Sequence, residues 1–216
     1  LWRLARLNDR KVVVDLTWFF TNYIQFNRYI PETVLINILK NLKTLLNSKD
    51  SNVIEAFLRL VNAVVTSRSI FNKNQVIRCG LTSQLVVLIL HDSFPVSRLA
   101  TFCCRYLALG FSSNIQQLLE ENILQTLTKL FAGENYSWRS KREGIWLLKN
   151  ICNRGLPSQS FEVSTDSNLL KAVFGMLGAD GLVLVKEVLK MLNSFKDLPL
   201  RNARVDFFQF NIHLTE

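Results

Sequence analysis

The sequence predicts an all-α fold, a solenoid of about five stacked helical repeats. Three observations lead there. Apolar side chains recur at three- and four-residue spacing along most of the chain, as in helices with one buried stripe. Gly and Pro are scarce, 8 and 4 in 216 residues, and no convincing hairpin alternates with period two, which argues against a turn-rich sandwich or barrel. Five segments of similar pattern return at near-constant spacing, which marks a repeat architecture.

Taken in order, the first segment runs from Val13 to Asn22 and sets Trp18 four residues before Asn22. Ile36, Leu39, Leu42, Leu45 and Leu46 form an apolar stripe, closed by the turn residues Asn47-Ser48-Lys49-Asp50. Val53 to Asn62 is the second segment, with Leu58 and Asn62 as its pair. Asn74 to Gly80 and the apolar run Leu85 to Leu90 come next, up to the break at Asp92-Ser93-Phe94-Pro95. Ser97 to Tyr106 is the third segment, with Phe102 and Tyr106. A stripe of Leu118, Leu119, Ile123, Leu124, Leu127 and Leu130 follows, up to Gly133-Glu134-Asn135. Lys141 to Asn150 is the fourth segment, with Trp146 and Asn150. Beyond the break at Gly155 to Ser160, Gly175, Gly178 and Gly181 read as an inter-helix turn. Leu184, Val185, Val188, Leu189 and Leu192 then make the last stripe, with the pair Leu189 and Asn193.

The second members of the five pairs are 40, 44, 44 and 43 residues apart. A helical unit of this size cannot bury its apolar face alone, and stacking on neighbours gives it a one-dimensional core. Residues four apart share a helix face, so the pairs are expected to form a ladder along one surface. The expected units are roughly 1–28, 29–68, 69–111, 112–154 and 155–197. The aromatic-rich tail 198–216, with Phe207, Phe208 and Phe210, is expected to cap the open end or to dock on a neighbour.

Lys141-Arg-Glu-Gly-Ile-Trp-Leu-Leu-Lys-Asn-Ile-Cys152 resembles the third helix of an armadillo repeat of the importin-α type, and Thr17-Trp18-Phe-Phe-Thr-Asn22 is similar to the same motif in an earlier repeat. Asn74 to Gly80 with Leu85 to Leu90 is similar to that family's first helix, glycine turn and second helix. The resemblance spans roughly residues 10–196 and implies a right-handed α-solenoid. It also implies a site: Asn amides that hydrogen-bond an extended peptide backbone, and Trp rings that hold the stems of its lysines. The binding residues it assigns are Trp18, Asn22, Asn62, Phe102, Tyr106, Trp146, Asn150 and Asn193. Only Trp18/Asn22 and Trp146/Asn150 are complete pairs.

Charge departs from that pattern. The chain has 26 Lys and Arg against 17 Asp and Glu, a net charge of +9, where a receptor for basic peptides is expected to be acidic. One turn beyond the ladder positions stand Phe26, Thr66, Gly110, Arg154 and Asp197, of which only the last is acidic. Arg154, Lys141 and Arg142 therefore set the charge beside the fourth pair. Basic residues also gather at Arg3, Arg6, Arg10 and Lys11, and at Lys186, Lys190 and Lys196.

Other chemistry is thinly represented. His91 and His213 are far apart and lack metal-ligand spacing, and His91 is read as a cap or solvated side chain beside Asp92. No nucleophile elbow, phosphate loop or dinucleotide fingerprint occurs, so neither enzymatic activity nor a cofactor is expected. Cys79, Cys103, Cys104 and Cys152 contain no Cys-x-x-Cys and read as buried small hydrophobes of a reducing compartment. Asn135-Tyr136-Ser137 is read as a chance sequon. The run Leu85–Leu90 is far too short to span a bilayer. The sequence starts at Leu1 and not Met, so it is read as a trimmed product from which a signal peptide, a transit peptide or an N-terminal arm could be missing; an importin-β-like receptor could be engaged only through such an arm. Three functions stay open: an interaction scaffold holding an extended peptide or partner chain, an importin-α-like transport adaptor being its sharpest form; a structural subunit of a large mitochondrial, ciliary or ribonucleoprotein assembly; and an RNA-binding repeat.

Overall fold

The structure, a computed structural model, describes residues 9–27, 30–67, 69–178 and 182–194. Arg3, Arg6, Gly181, Lys196, Asp197 and the tail 198–216 lie outside these, as does the side chain of Asn193.

The described residues form helices joined by short turns. Helix α1 (Arg10–Phe26) starts at Asp9, whose carboxylate accepts the Lys11 and Val12 amides, a side-chain cap for otherwise orphaned N–H groups. Helix α2 (Glu32–Leu42) tightens into a 3-10 turn over Lys43–Asn47. Helix α3 (Ser51–Thr66) is capped by Asp50. Three helical triplets follow. They are α4 (Ile70–Arg78), α5 (Thr82–Leu88) and α6 (Phe94–Leu107); α7 (Ser112–Glu120), α8 (Ile123–Ala132) and α9 (Trp138–Arg154); and α10 (Pro157–Thr165), α11 (Ser167–Gly175) and α12 (Leu182–Ser194). Gly175 and Gly178 bound a short 3-10 turn, Met176–Gly178, after α11.

Matching turns solve one backbone problem with different residues. Between α4 and α5, Gly80 takes φ +66°; between α7 and α8, Asn122 takes φ 59°. Both lie in the left-handed region, open to glycine and, at lower cost than for other residues, to asparagine. Between α10 and α11 the chain instead passes through Asp166 in an extended conformation, which caps α11 through Asn168 and Leu169.

The long helices α1, α3, α6, α9 and α12 pack in consecutive pairs and form one wall. The shorter helices cover its other side. One continuous apolar cluster runs from Leu16 to Met191, with each unit's stripe closed by its neighbour as a solenoid requires. Gly144 lets α9 approach α8: a Cβ there would meet Phe131 Cε1 at 2.7 Å. All four cysteines are free and buried. Burial pushes the Cys104 and Cys152 thiols up to about 12, and that of Cys103 well above its ordinary value.

Polar ties join each unit to the next at one repeat distance. Arg78 pairs with Glu32 across 46 residues. The Tyr136 hydroxyl donates to the Leu90 carbonyl, also 46 away. Gln159 donates to the Ser112 carbonyl, 47 away. The Asn150 amide donates to the Arg105 carbonyl, 45 away. These ties span 45 to 47 residues, slightly longer than the intervals of the apolar pattern.

Candidate functional site

Arg142, Trp146, Asn150 and Arg154 follow at four-residue steps along α9 and so share a face. Neighbouring α6 brings Phe102, Arg105 and Tyr106 to it, and α12 brings Glu187 and Lys190. The Phe102 and Tyr106 rings stack, centroids 4.6 Å apart. The Arg105 guanidinium lies 4.6 Å from each of these rings and 4.8 Å from the Trp146 ring. Arg142 lies 4.7 Å from the Trp146 ring and 5.0 Å from that of Trp138. One tryptophan therefore carries two of the protein's own cations, both within cation–π range.

Glu143 anchors this arrangement. It is 2% exposed; its Oε2 lies 3.0 Å from Arg105 Nη1 and its Oε1 4.0 Å from Arg142 Nη2. The 3.0 Å contact is close enough for an ion pair but is not aligned as a hydrogen bond. Among the described residues, Glu143 Oε2 and both arginine Nε atoms have no hydrogen-bond partner. Charge and ring faces hold the cluster more than directed bonds do. Burial pushes the Glu143 carboxyl above its ordinary value, and Arg105, Arg142 and Arg98 pull it only part of the way back. At the wall's next step, the Trp146 indole N–H donates to Glu187 Oε2 at 2.7 Å, and Lys190 Nζ lies 2.9 Å from Oε1. These bonds, Lys190 first and Trp146 second, hold the Glu187 carboxyl below the usual glutamate value.

The ladder residues differ in their surroundings. The slot that the resemblance gives to a ligand's cation at Trp146 is filled by Arg105 and Arg142. The Asn150 amide is engaged by the Arg105 carbonyl. Leu58 is fully buried in the core and forms no slot beside Asn62. Trp18 is 52% exposed, and among the described residues no guanidinium stacks on it. With Thr21, Gln25, Ala56, Arg59 and Asn62 it lines a shallow cavity of about 110 Å³. The Asn62 Oδ1 is buried and has no hydrogen-bond partner among the described residues. Asn22 is partly exposed on α1, and Leu189, beside Asn193 on α12, is exposed.

Arg154 is exposed at the end of α9. Lys141 turns away from the ladder. Its ammonium donates to the Phe131 carbonyl at 3.0 Å, closing the last turn of α8 where a cation is favoured. His91 accepts the Ser93 amide through Nδ1 and shapes the entry to α6. Among the described residues, no three His, Cys, Asp or Glu side chains gather as a metal site, and no helix is long and apolar enough to cross a membrane.

Arg105 and Glu187 escaped the sequence reading. Arg105 stands three residues after Phe102, so helical geometry alone puts it near that ring, but its stacking depends on α9 packing beside α6. Glu187 is reached only through the contact of α9 with α12.

No protein-family model matches the sequence, and no curated protein matches it. Solved structures do. A designed armadillo repeat protein in complex with the peptide (KR)4 superposes with TM-score 0.79 at 22% identity, over 90% of this chain and 80% of that one. The fold is the armadillo repeat solenoid. Computationally designed armadillo repeat proteins for modular peptide recognition superpose with TM-score 0.77 at 18% identity, over 89% and 79% of the two chains. A further designed armadillo repeat protein gives TM-score 0.76 at 18% identity, over 89% and 79%. Within this armadillo fold, the arginine-filled Trp146 slot lies on the wall formed by α1, α3, α6, α9 and α12.

Proposed function

We propose that this chain is a non-enzymatic protein-interaction scaffold that holds an extended partner segment along the wall of α1, α3, α6, α9 and α12. The observation that supports this most is the run of aromatic and amide side chains on one face of successive helices, from Trp18 and Asn62 to Trp146 and Asn150. Two of the solved structures similar in fold are described as bound to a peptide or built for peptide recognition, which supports the same class of partner.

The sharper reading, an importin-α-like adaptor for basic signals, needs an open Trp146 slot ringed by carboxylates. Arg105 and Arg142 stand in that slot and Arg154 follows Asn150, so the scaffold is better suited to other segments. A fixed subunit of a larger assembly is the second reading. It is favoured by an apolar pair on the shorter-helix side: Phe71 on α4 is 68% exposed, with its ring 6.3 Å from that of Phe111, which is also exposed.

The test is selection of extended peptides from a random library against the whole chain, followed by rebinding to a Trp18→Ala, Asn62→Ala variant and a Trp146→Ala, Asn150→Ala variant. A loss of about 2 kcal/mol or more in either, with the folded fraction unchanged, is the hot-spot result. Binders indifferent to both pairs would place the partner elsewhere.

A further inference from the structure

Charge is unevenly spread along the wall. Helices α6, α9 and α12 carry nine basic and two acidic side chains, whereas α1 and α3 carry three and two. The two acids of the basic half are already committed, Glu143 to Arg105 and Glu187 to Trp146 and Lys190. Arg154 is exposed and Lys149 partly exposed. Lys149 acts electrostatically on Glu187, and Arg98 on Glu143, so both lie near the cluster. Among the described residues, Arg98, Lys149 and Arg154 form no ion pair, and Arg142 has only its 4.0 Å contact with Glu143.

We propose that the α6–α9–α12 half of the wall binds an acidic extended segment, whose carboxylates pair with Arg98, Arg142, Lys149 and Arg154. The inference rests on the reading of the wall as a partner-binding surface and adds the chemistry of the partner. Complementary charge steers encounter and rejects partners of the wrong sign. Arginine suits carboxylates because its planar fork can take two oxygens, and stacking on Trp146 and Trp138 restrains the fork of Arg142. An extended chain of about eight residues covers about 25 Å, the reach of three helices spaced about 10 Å apart. Single-stranded RNA fits this half less well. Bases need free aromatic faces, and those of Phe102, Tyr106, Trp138 and Trp146 already carry Arg105 and Arg142.

Fluorescence anisotropy tests this with four labelled probes of about eight units each: a Glu/Asp-rich, a Lys/Arg-rich and an uncharged peptide, and oligouridine. The acidic peptide is expected to bind best and to weaken as salt rises. Lys149→Glu with Arg154→Glu is expected to lower its affinity roughly tenfold or more, while Lys171→Glu, exposed on α11, leaves it nearly unchanged. Acidic-peptide binding that ignores the double substitution overturns the assignment to this half. Preference for the basic or the uncharged peptide overturns the acidic chemistry and leaves the partner-binding wall standing. Preference for oligouridine overturns it in favour of RNA. If no probe binds, the partner-binding reading of the wall falls as well.

Discussion

The Arg105 guanidinium lies 4.8 Å from the centre of the Trp146 ring, one repeat further along the chain. Trp146 also carries Arg142 at 4.7 Å. A slot that resemblance assigns to an incoming lysine is thus a packed joint between α6 and α9. Partly desolvated cation–π pairs contribute about 1 kcal/mol, so a double-mutant cycle of Arg105→Ala and Trp146→Ala should return a coupling of about that size. Strict additivity in chemical denaturation would mean that the contact is proximity without energy.

Glu143 makes a prediction about pH. Burial pushes its carboxyl above the ordinary 4.5, so the folded chain holds this proton more tightly than the unfolded chain does. The associated stability is fully present below the unfolded value and is lost as pH rises through the raised folded value. Glu143→Gln keeps the shape and stays neutral. The stability of the variant minus that of the wild type should therefore grow as pH climbs above 4.5 and then level off. Urea unfolding of both proteins from about pH 4 to 7 reads this difference; a flat difference would contradict it.

Close helix approach and two left-handed turns predict three backbone effects. Gly144→Ala drives a methyl into Phe131 and should cost about 1–3 kcal/mol, as overpacking does. Asn122→Gly should be neutral or slightly stabilising, because φ 59° suits glycine. Gly80→Ala, at φ +66° and with Lys43 Nζ 3.1 Å from the new Cβ, should cost about 1 kcal/mol. Thermal or denaturant unfolding of the three variants gives the ordering.

These positions show what could be read from the residues. The stripes and five-fold spacing disclosed the helices because they follow from local periodicity and unit stacking. The glycine turn was legible at Gly80 but not at Asn122, where another residue adopts the same conformation. The second unit had no such signal between Leu42 and Lys43, and there the chain runs on as a 3-10 turn. The ladder on α9 was legible because Trp146 and Asn150 are four apart on one helix. Its filling was not, since Arg105 and Glu187 reach Trp146 only across helix contacts. Lys141, grouped with Arg142 by sequence, turns away to cap α8, and helical phase separates the two.

The thiols supply a further check. Cys104 and Cys152, near 12, and Cys103, also raised, present almost no thiolate at neutral pH. Burial raises Cys79 as well, but Lys40, Lys43 and Arg78 pull it back. Native-state alkylation followed by mass spectrometry should label Cys79 first, with the other three slower by about 100-fold or more until the chain unfolds. Early labelling of Cys103 or Cys104 would contradict their place in the core.

Calorimetric titration with a Lys-rich octapeptide tests the filled slot most directly, comparing the wild type with an Arg105→Ala, Arg142→Ala variant shown to be folded by circular dichroism. The wild type should bind this peptide weakly or not at all. The variant, with Trp146 vacated and two positive charges removed, should bind it at least tenfold more tightly, about 1.4 kcal/mol. Wild-type binding as tight as that of the variant would contradict the account, because the basic peptide would then have no need of the place that Arg105 and Arg142 occupy.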